Sequence, residues 1–255
     1  MAGMEFDLSG KTVVVTGGTR GIGRAIAETF ADAGADVVPT SRSHDDVQDA
    51  ADAMREYGVE SLAVPTDVTD EAAIERLFAD TAAELGSVDV VVNNAGVNPD
   101  GALGPPEDVE TEDFDFVTDV NLRGAFLCAK HAAEHLQDAG GSLVNVASVG
   151  GLVGLPRQHP YVGSKHGLVG LTKSMALDWA PDVRVNALAP GYVSTDLTEE
   201  LEENDRLRES IERRTPLGRF AEPAEIGGPA VFLASDAAAY VTGEVLSVDG
   251  GWTAR

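Results

Sequence analysis

Apolar residues follow two alternating patterns along the whole chain. Short aliphatic, often β-branched runs occur at residues 12–16, 36–40, 61–65, 88–92, 142–147, 183–187 and 244–248. Their length and composition suit strands covered on both faces. Between them, residues 22–33, 45–57, 70–85, 112–137, 160–179, 197–213 and 223–234 place apolar positions at helical spacing. The alternation predicts seven parallel strands with helices on both faces. Right-handed crossovers then give a doubly wound α/β sheet of the Rossmann type. Pro39 sits inside the second run, where it would cost a ladder donor. No repeat, linker or composition break interrupts the pattern, so residues 1–255 read as one domain. Its least regular parts are 98–110 and 194–216.

Charge narrows the function classes. The 255 residues hold 43 acidic and 18 basic side chains, a formal charge of −25. A nucleic-acid partner would ask for a basic face, and an anionic membrane would repel such a body. No apolar stretch approaches the roughly 20 residues of a membrane span. Residues 1–9 show no basic and apolar leader pattern, so the expected location is the cytoplasm. The single cysteine, Cys128, excludes an intrachain disulfide and a cysteine-based zinc site, and it reads as a small core residue. The histidines show no ligand spacing, and no metal is expected. Only four basic residues are lysines. That imbalance suits a protein adapted to molar salt, where a Debye length of about 3 Å screens self-repulsion.

The candidate chemistry begins where the first strand runs into Thr16-Gly17-Gly18-Thr19-Arg20-Gly21-Ile22-Gly23 and then a helix. Glycine permits the tight turn and lets a pyrophosphate approach the backbone. The helix N-terminus adds free N–H groups and partial positive charge. The spacing departs from G-x-G-x-x-G, but its strand–turn–helix context is the one dinucleotide binding requires. At the end of the second strand, where an acidic residue would bind the ribose of NAD, the chain has Ser41-Arg42. Arg42 and Arg20 could clamp a 2′-phosphate, which favours NADP and leaves NAD as the alternative. The strand at 88–92 ends in Asn93-Asn94-Ala95-Gly96, with small residues where a cofactor would lie against the backbone. Tyr161 and Lys165 stand four apart on one helix face, and Ser148 closes a strand at the crevice end. Lowering a tyrosine pKa by three units takes roughly 4 kcal/mol. One ammonium about 4 Å away, at an effective dielectric of about 20, supplies that much.

With these residues in view, the chain resembles the short-chain dehydrogenase/reductase family over essentially its whole length. The family's glycine turn matches Gly17, Gly21 and Gly23, and its N-N-A-G matches Asn93 to Gly96. Its catalytic serine, tyrosine and lysine match Ser148, Tyr161 and Lys165, and its helix asparagine matches Asn121. Its P-G-x-x-x-T matches Pro190, Gly191 and Thr195, and its acidic residue near the adenine matches Asp67, followed by Val68. The resemblance implies that Tyr161 is general acid in ketone reduction and general base in alcohol oxidation. Ser148 would bond the substrate oxygen. Lys165 would lower the Tyr161 pKa and hold the nicotinamide ribose. Asn121 would hold a relay water, and Val193 and Thr195 would face the carboxamide. It also implies a mobile substrate lid at 194–216 and a homotetramer.

Asn98, Val149, Gly150, Gln158 and Tyr192 are the expected pocket lining. Their amides suit a hydroxylated small molecule, a sugar, polyol or sugar acid. The competing activity is reduction of a 3-oxoacyl thioester, which a basic patch near Arg123 or Arg157 would favour. A nucleotide-binding regulator without catalysis is the remaining alternative, and loss of Tyr161 or Lys165 would have marked it. Arg206, Arg208, Arg213 and Arg214 read as partners of neighbouring glutamates or as contacts to an anionic substrate.

Overall fold

The computed structural model describes residues 6–254. Strands β1 (Thr12–Thr16), β2 (Asp36–Thr40), β3 (Val90–Asn93), β4 (Ser142–Val146), β5 (Arg184–Pro190) and β6 (Val245–Val248) form one all-parallel sheet in the order β2-β1-β3-β4-β5-β6. The chain steps outward from β1 to β2 and returns on the other side at β3. The crevice between the C-terminal ends of β1 and β3 is therefore the topological switch point, where such sheets bind ligands.

Side-chain alternation along the strands builds two cores. Val13, Val15, Val90 and Val92 point to the face covered by α1 (Gly21–Asp32) and α9 (Ala224–Ala234), around Ile26, Phe30, Ile226 and Leu233. Val14, Val91 and Leu143 point to the other face. There they meet Ile74, Leu77 and Phe78 of α3 (Glu71–Leu85), Cys128 and Leu136 of α5 (Ala125–Ala139), and Ala176 of α6 (His159–Trp179). Both faces are dry, which explains strands without polar alternation. Among the described residues no helix is long and apolar enough to cross a membrane.

Three elements depart from the sequence pattern. The described sheet has six strands, not seven, because residues 61–65 do not join it. Pro39 is the cause. It lies on β2, the edge strand, and its residue would donate outward to the next strand, but it has no N–H. Val37 N donates to Glu60 O and Thr66 N to Ser41 O. Between those two bonds, the hydroxyls of Ser61 and Thr40 reach the carbonyls of Val37 and Val64 in place of a ladder. The predicted helix 112–137 is instead α4 (Thr111–Thr118), a π-helical turn at Asp119–Gly124, and α5. The predicted helix 197–213 is α7 (Glu199–Glu203) and α8 (Asp205–Arg214), broken at Asn204, whose side chain caps α8 by accepting from Leu207 N. Helix α2 (His44–Arg55) follows β2 and carries Asp45 and Asp46 in its first turn.

Candidate active site

The glycine turn is fixed by its neighbours. Gly17 has φ +63° and Gly21 φ +53°, conformations that glycine adopts without strain. A Cβ on Gly23 would stand 2.1 Å from the carbonyl oxygen of Gly17, so the helix could not start this close to the turn with any other residue. Asn94 clamps the turn to the end of β3. Its Nδ2 donates to the carbonyls of Thr16 (3.0 Å) and Gly17 (3.1 Å). Thr16 Oγ1 accepts from the backbone N–H groups of Asn94 and Ala95. Arg20 occupies the N-cap of α1 without a side-chain cap, so the first N–H groups of the helix, from Gly21, Ile22 and Gly23, face the crevice uncapped. Thr19 is half-buried within the turn.

These surroundings fit a dinucleotide. The hydroxyl of Ser41 is buried without a hydrogen-bond partner, at the end of β2 where the adenosine ribose is expected. Arg42 beside it is exposed. Arg20 is 81% exposed, and its 3.6 Å contact to Asp196, itself 78% exposed, is a weak surface pair. Asp67 is bound into a local turn, accepting from Thr69 N and Thr69 Oγ1. Val68 packs where α5 begins, close enough that a Cβ on Gly124 would meet its carbonyl at 2.9 Å. Gly96 brings the backbone close to the polar groups of the site, since a Cβ there would stand in van der Waals contact, 3.5 Å, with both Asn121 Oδ1 and Lys165 Nζ.

Ser148, Tyr161 and Lys165 converge at the end of β4 and the start of α6. Ser148 is buried and its Oγ accepts from Gly150 N at 3.0 Å. A Cβ on Gly150 would touch Tyr161 Cε1 at 3.3 Å and Ser148 Oγ at 3.5 Å, so Gly150 keeps the two side chains together. Lys165 is 4% exposed. Its Nζ donates to Val146 O at 2.8 Å and lies 5.7 Å from the Tyr161 ring centroid. Burial alone brings the Lys165 pKa down to about 8. Burial pushes the Tyr161 phenol up, and the hydroxyl of Ser148, pulling it down, does not compensate. Of the three N–H donors of the lysine ammonium, one goes to the carbonyl of Val146.

Asn121 lies in the π-helical turn, and such turns often reshape a helix at a functional site. Its Oδ1 accepts from Val97 N (2.7 Å), and its Nδ2 donates to Val97 O (2.9 Å) and Ser164 Oγ (3.3 Å). The side chain therefore holds the loop after β3 against α6. The sequence reading missed Ser164, whose Oγ also donates to Tyr161 O, and Asn145, which links Asn93 to Thr172. A lone serine or strand asparagine gives no signal by spacing.

Pocket walls rise on both sides of β4. From β3 comes Asn98, whose Nδ2 donates to Gln158 Oε1 at 3.1 Å while its own Oδ1 is buried without a partner. At the end of β5, Pro190 pairs with Val248 of the last strand, and Gly191 N donates to Val248 O. Tyr192 then packs edge-on against Trp252 (centroids 4.9 Å apart) and Phe220 (5.8 Å). Val193 is buried and bridges to Ala221. Thr195 lies beside the glycine turn, 3.4 Å from where a Gly21 Cβ would stand. Thr198, which the sequence reading passed over, donates to Val193 O and accepts from Thr195 N.

Comparison with known proteins agrees with this architecture. The family model described as enoyl-(acyl carrier protein) reductase matches residues 17–253. The chain is 42% identical over 248 residues to cis-4-hydroxycyclohexanecarboxylate dehydrogenase of Sinomonas cyclohexanicum, covering 96% of this chain and 97% of the relative. It is 38% identical over 244 residues to 3-oxoacyl-(acyl-carrier-protein) reductase of Staphylococcus aureus, covering 94% and 97%. Among solved structures, gluconate 5-dehydrogenase from Burkholderia cenocepacia, in complex with NADP and tartrate, superposes with a TM-score of 0.94 at 34% identity and 98% coverage of each chain. These matches run along nearly the full length, and the chain belongs to the short-chain dehydrogenase/reductase family of NAD(P)-dependent oxidoreductases.

Proposed function

We propose that the protein is an NADP-preferring oxidoreductase that interconverts a secondary alcohol and its ketone on a small hydroxylated substrate, a sugar, polyol or sugar acid. The observation that carries this reading is the convergence of Ser148, Tyr161 and Lys165 near Gly96, with the paired amides of Asn98 and Gln158 at the start of α6. Nicotinamide dinucleotide supplies the hydride acceptor for oxidation and the donor for reduction. The uncapped start of α1 would hold its pyrophosphate, with Ser41, Arg42 and Arg20 around a 2′-phosphate. Ser148 orients the substrate oxygen by hydrogen bonding. Tyr161, protonated at neutral pH, gives its proton to that oxygen in reduction and takes one from the alcohol in oxidation. Oxidation therefore speeds up as pH rises toward the phenol pKa. Lys165 holds the ribose side of the site and carries charge below about pH 8.

The lid spans 194–216, where α7 and α8 meet the aromatic cluster around Trp252. Assembly as a homotetramer belongs to the same reading, supported by exposed Phe126 and the groove it forms with Leu122 and Leu171 between α5 and α6. The relatives support the substrate class, since one is named for a hydroxycyclohexane carboxylate and another is named for gluconate. The thioester reading has its own relative in the acyl-carrier-protein reductase. It finds less support at Arg123, which spends its guanidinium on the carbonyl of Thr69 and lines the α5–α6 groove, while Arg157, exposed beside Gln158, is the basic residue that reading would use. The test is a panel of sugars, sugar acids and polyols in oxidation, and of acetoacetyl thioester and ketones in reduction. Absorbance of reduced cofactor is followed at high KCl with NADP and NAD in parallel. Turnover of a hydroxylated small molecule is the expected result, and turnover of the thioester alone would replace this reading.

A further inference from the structure

The loop after β3 and the loop before α6 carry two local costs, and the two lie together. Arg157 has φ +62°, the one residue other than glycine with positive φ among the described residues. A side-chain-bearing residue keeps that conformation where its surroundings hold it. The carbonyl of Arg157 accepts from Gly104 N at 3.0 Å, which ties one loop to the other. The same loops meet again through side chains, where Asn98 Nδ2 donates to Gln158 Oε1 at 3.1 Å. That contact leaves Asn98 Oδ1 buried without a donor. A buried acceptor without a partner costs free energy, and local costs of both kinds collect at functional sites.

The pair is held beside the reacting groups from two sides. Gln158 is the N-cap of α6 and Tyr161 its third residue, positions whose side chains meet over the first turn of a helix. Asn98 follows Val97, whose N–H and carbonyl are both bonded to Asn121. One hydrogen bond joins the two amides. Gln158 Nε2 therefore stays a donor without a partner among the described residues, and Asn98 Oδ1 an acceptor without one. Turning both amides over exchanges these roles and leaves the sum the same. A hydroxyl both accepts and donates, so it suits the pair. A carboxylate would meet the donor but oppose Oδ1, and an ether would accept only.

We propose that the Asn98–Gln158 pair selects the substrate by a second hydroxyl on the carbon next to the reacting one, so that the preferred substrate is a 1,2-diol and not an isolated alcohol. That hydroxyl accepts from Gln158 Nε2 and, wedged between the amides, donates to Asn98 Oδ1. Side chains three apart on a helix stand about 5–6 Å apart at Cβ, a span that suits oxygens on neighbouring carbons. The proposal rests on the reading that Ser148 and Tyr161 mark the reacting carbon. It deepens that reading by naming the group beside it.

The test compares cyclohexanol with cis- and trans-1,2-cyclohexanediol and 2-methoxycyclohexanol, and 2-butanol with 2,3-butanediol. Calorimetry on the NADPH-loaded protein, which cannot oxidise an alcohol, reports binding. Reduced-cofactor absorbance with NADP reports turnover. The expected result is at least about tenfold tighter binding of one diol than of its mono-alcohol, with the methyl ether weaker than the diol. Gln158→Leu and Asn98→Leu should each bring that diol and its mono-alcohol within about threefold. A merely structural loss would weaken both alike and leave their ratio standing. NADPH affinity checks that each variant is folded, and the two lie on different loops, so either one alone decides. Equal binding of diols and mono-alcohols, binding of neither, or a ratio that survives the substitutions overturns the proposal. Turnover of both kinds of alcohol alike overturns it while leaving the proposed activity standing. Diol-selective binding that Gln158→Leu abolishes, without turnover of any alcohol, upholds the recognition and removes the activity.

Discussion

Lys165 carries a stability cost that can be read separately from its chemistry. The side chain is 4% exposed, and burial lowers its pKa from the usual 10.5 to about 8. That shift means the fold disfavours the ammonium by about 3 kcal/mol. Below about pH 8 the lysine is charged in both folded and unfolded chains, and the fold bears the whole cost. Between about 8 and 10.5 the folded protein sheds the proton while the unfolded chain keeps it, so stability rises with pH. Lys165→Met keeps the length of the side chain and removes the charge. It also takes the donor away from Val146 O, a loss of about 1–3 kcal/mol that does not vary with pH. The variant is therefore expected to be at least as stable as the parent at pH 7. Its standing relative to the parent should fall by about 2–3 kcal/mol between pH 7 and 10. Urea unfolding of both proteins at one KCl and one protein concentration measures this, and the difference cancels every other titrating group. A difference that stays flat across that range refutes the reasoning. Loss of turnover in the same variant would place the cost among those a functional site imposes on its fold.

Other consequences follow from the same contacts. Asn94→Ala leaves the carbonyls of Thr16 and Gly17 without their side-chain donor and should cost about 2–3 kcal/mol in denaturant unfolding, with weaker NADP binding; an unchanged midpoint would show that the turn holds itself. Arg42→Asp should shift the NADP:NAD preference by roughly ten- to a hundredfold toward NAD in parallel titrations, and an unshifted ratio would remove Arg42 from the 2′-phosphate site. The unfolding midpoint should climb with KCl toward molar concentration as the charge of −25 is screened, whereas full stability without salt would count against salt adaptation.

Most of the fold was legible because both periodicities are strong and both sheet faces are covered. The strand at 61–65 was the exception. Its composition is that of a strand, but pairing depends on what the neighbouring edge offers, and Pro39 withholds the needed N–H. The π-helical turn around Asn121 was also hidden, since a one-residue change of register hardly disturbs apolar spacing over 112–137. Within the site, the glycine turn, Asn94, Ser148, Tyr161 and Lys165 were visible because each sits at a strand end or a helix start, where the ligand crevice must be. The contact between Arg214 and Trp252 was hidden, because the two meet through α8 and the C-terminal segment, 38 positions apart by their residue numbers. Spacing puts Lys165 on the same face as Tyr161 but says nothing of the Val146 carbonyl that accepts one of its N–H donors.

The central claim is that the Tyr161 hydroxyl moves the proton of the reacting oxygen. The direct measurement is kcat and NADP binding of Tyr161→Phe beside the parent, on whichever alcohol the panel identifies. A fall in kcat of about 10²–10⁴-fold, with NADP affinity and thermal unfolding unchanged, is the predicted result. Turnover retained without the hydroxyl would contradict the account.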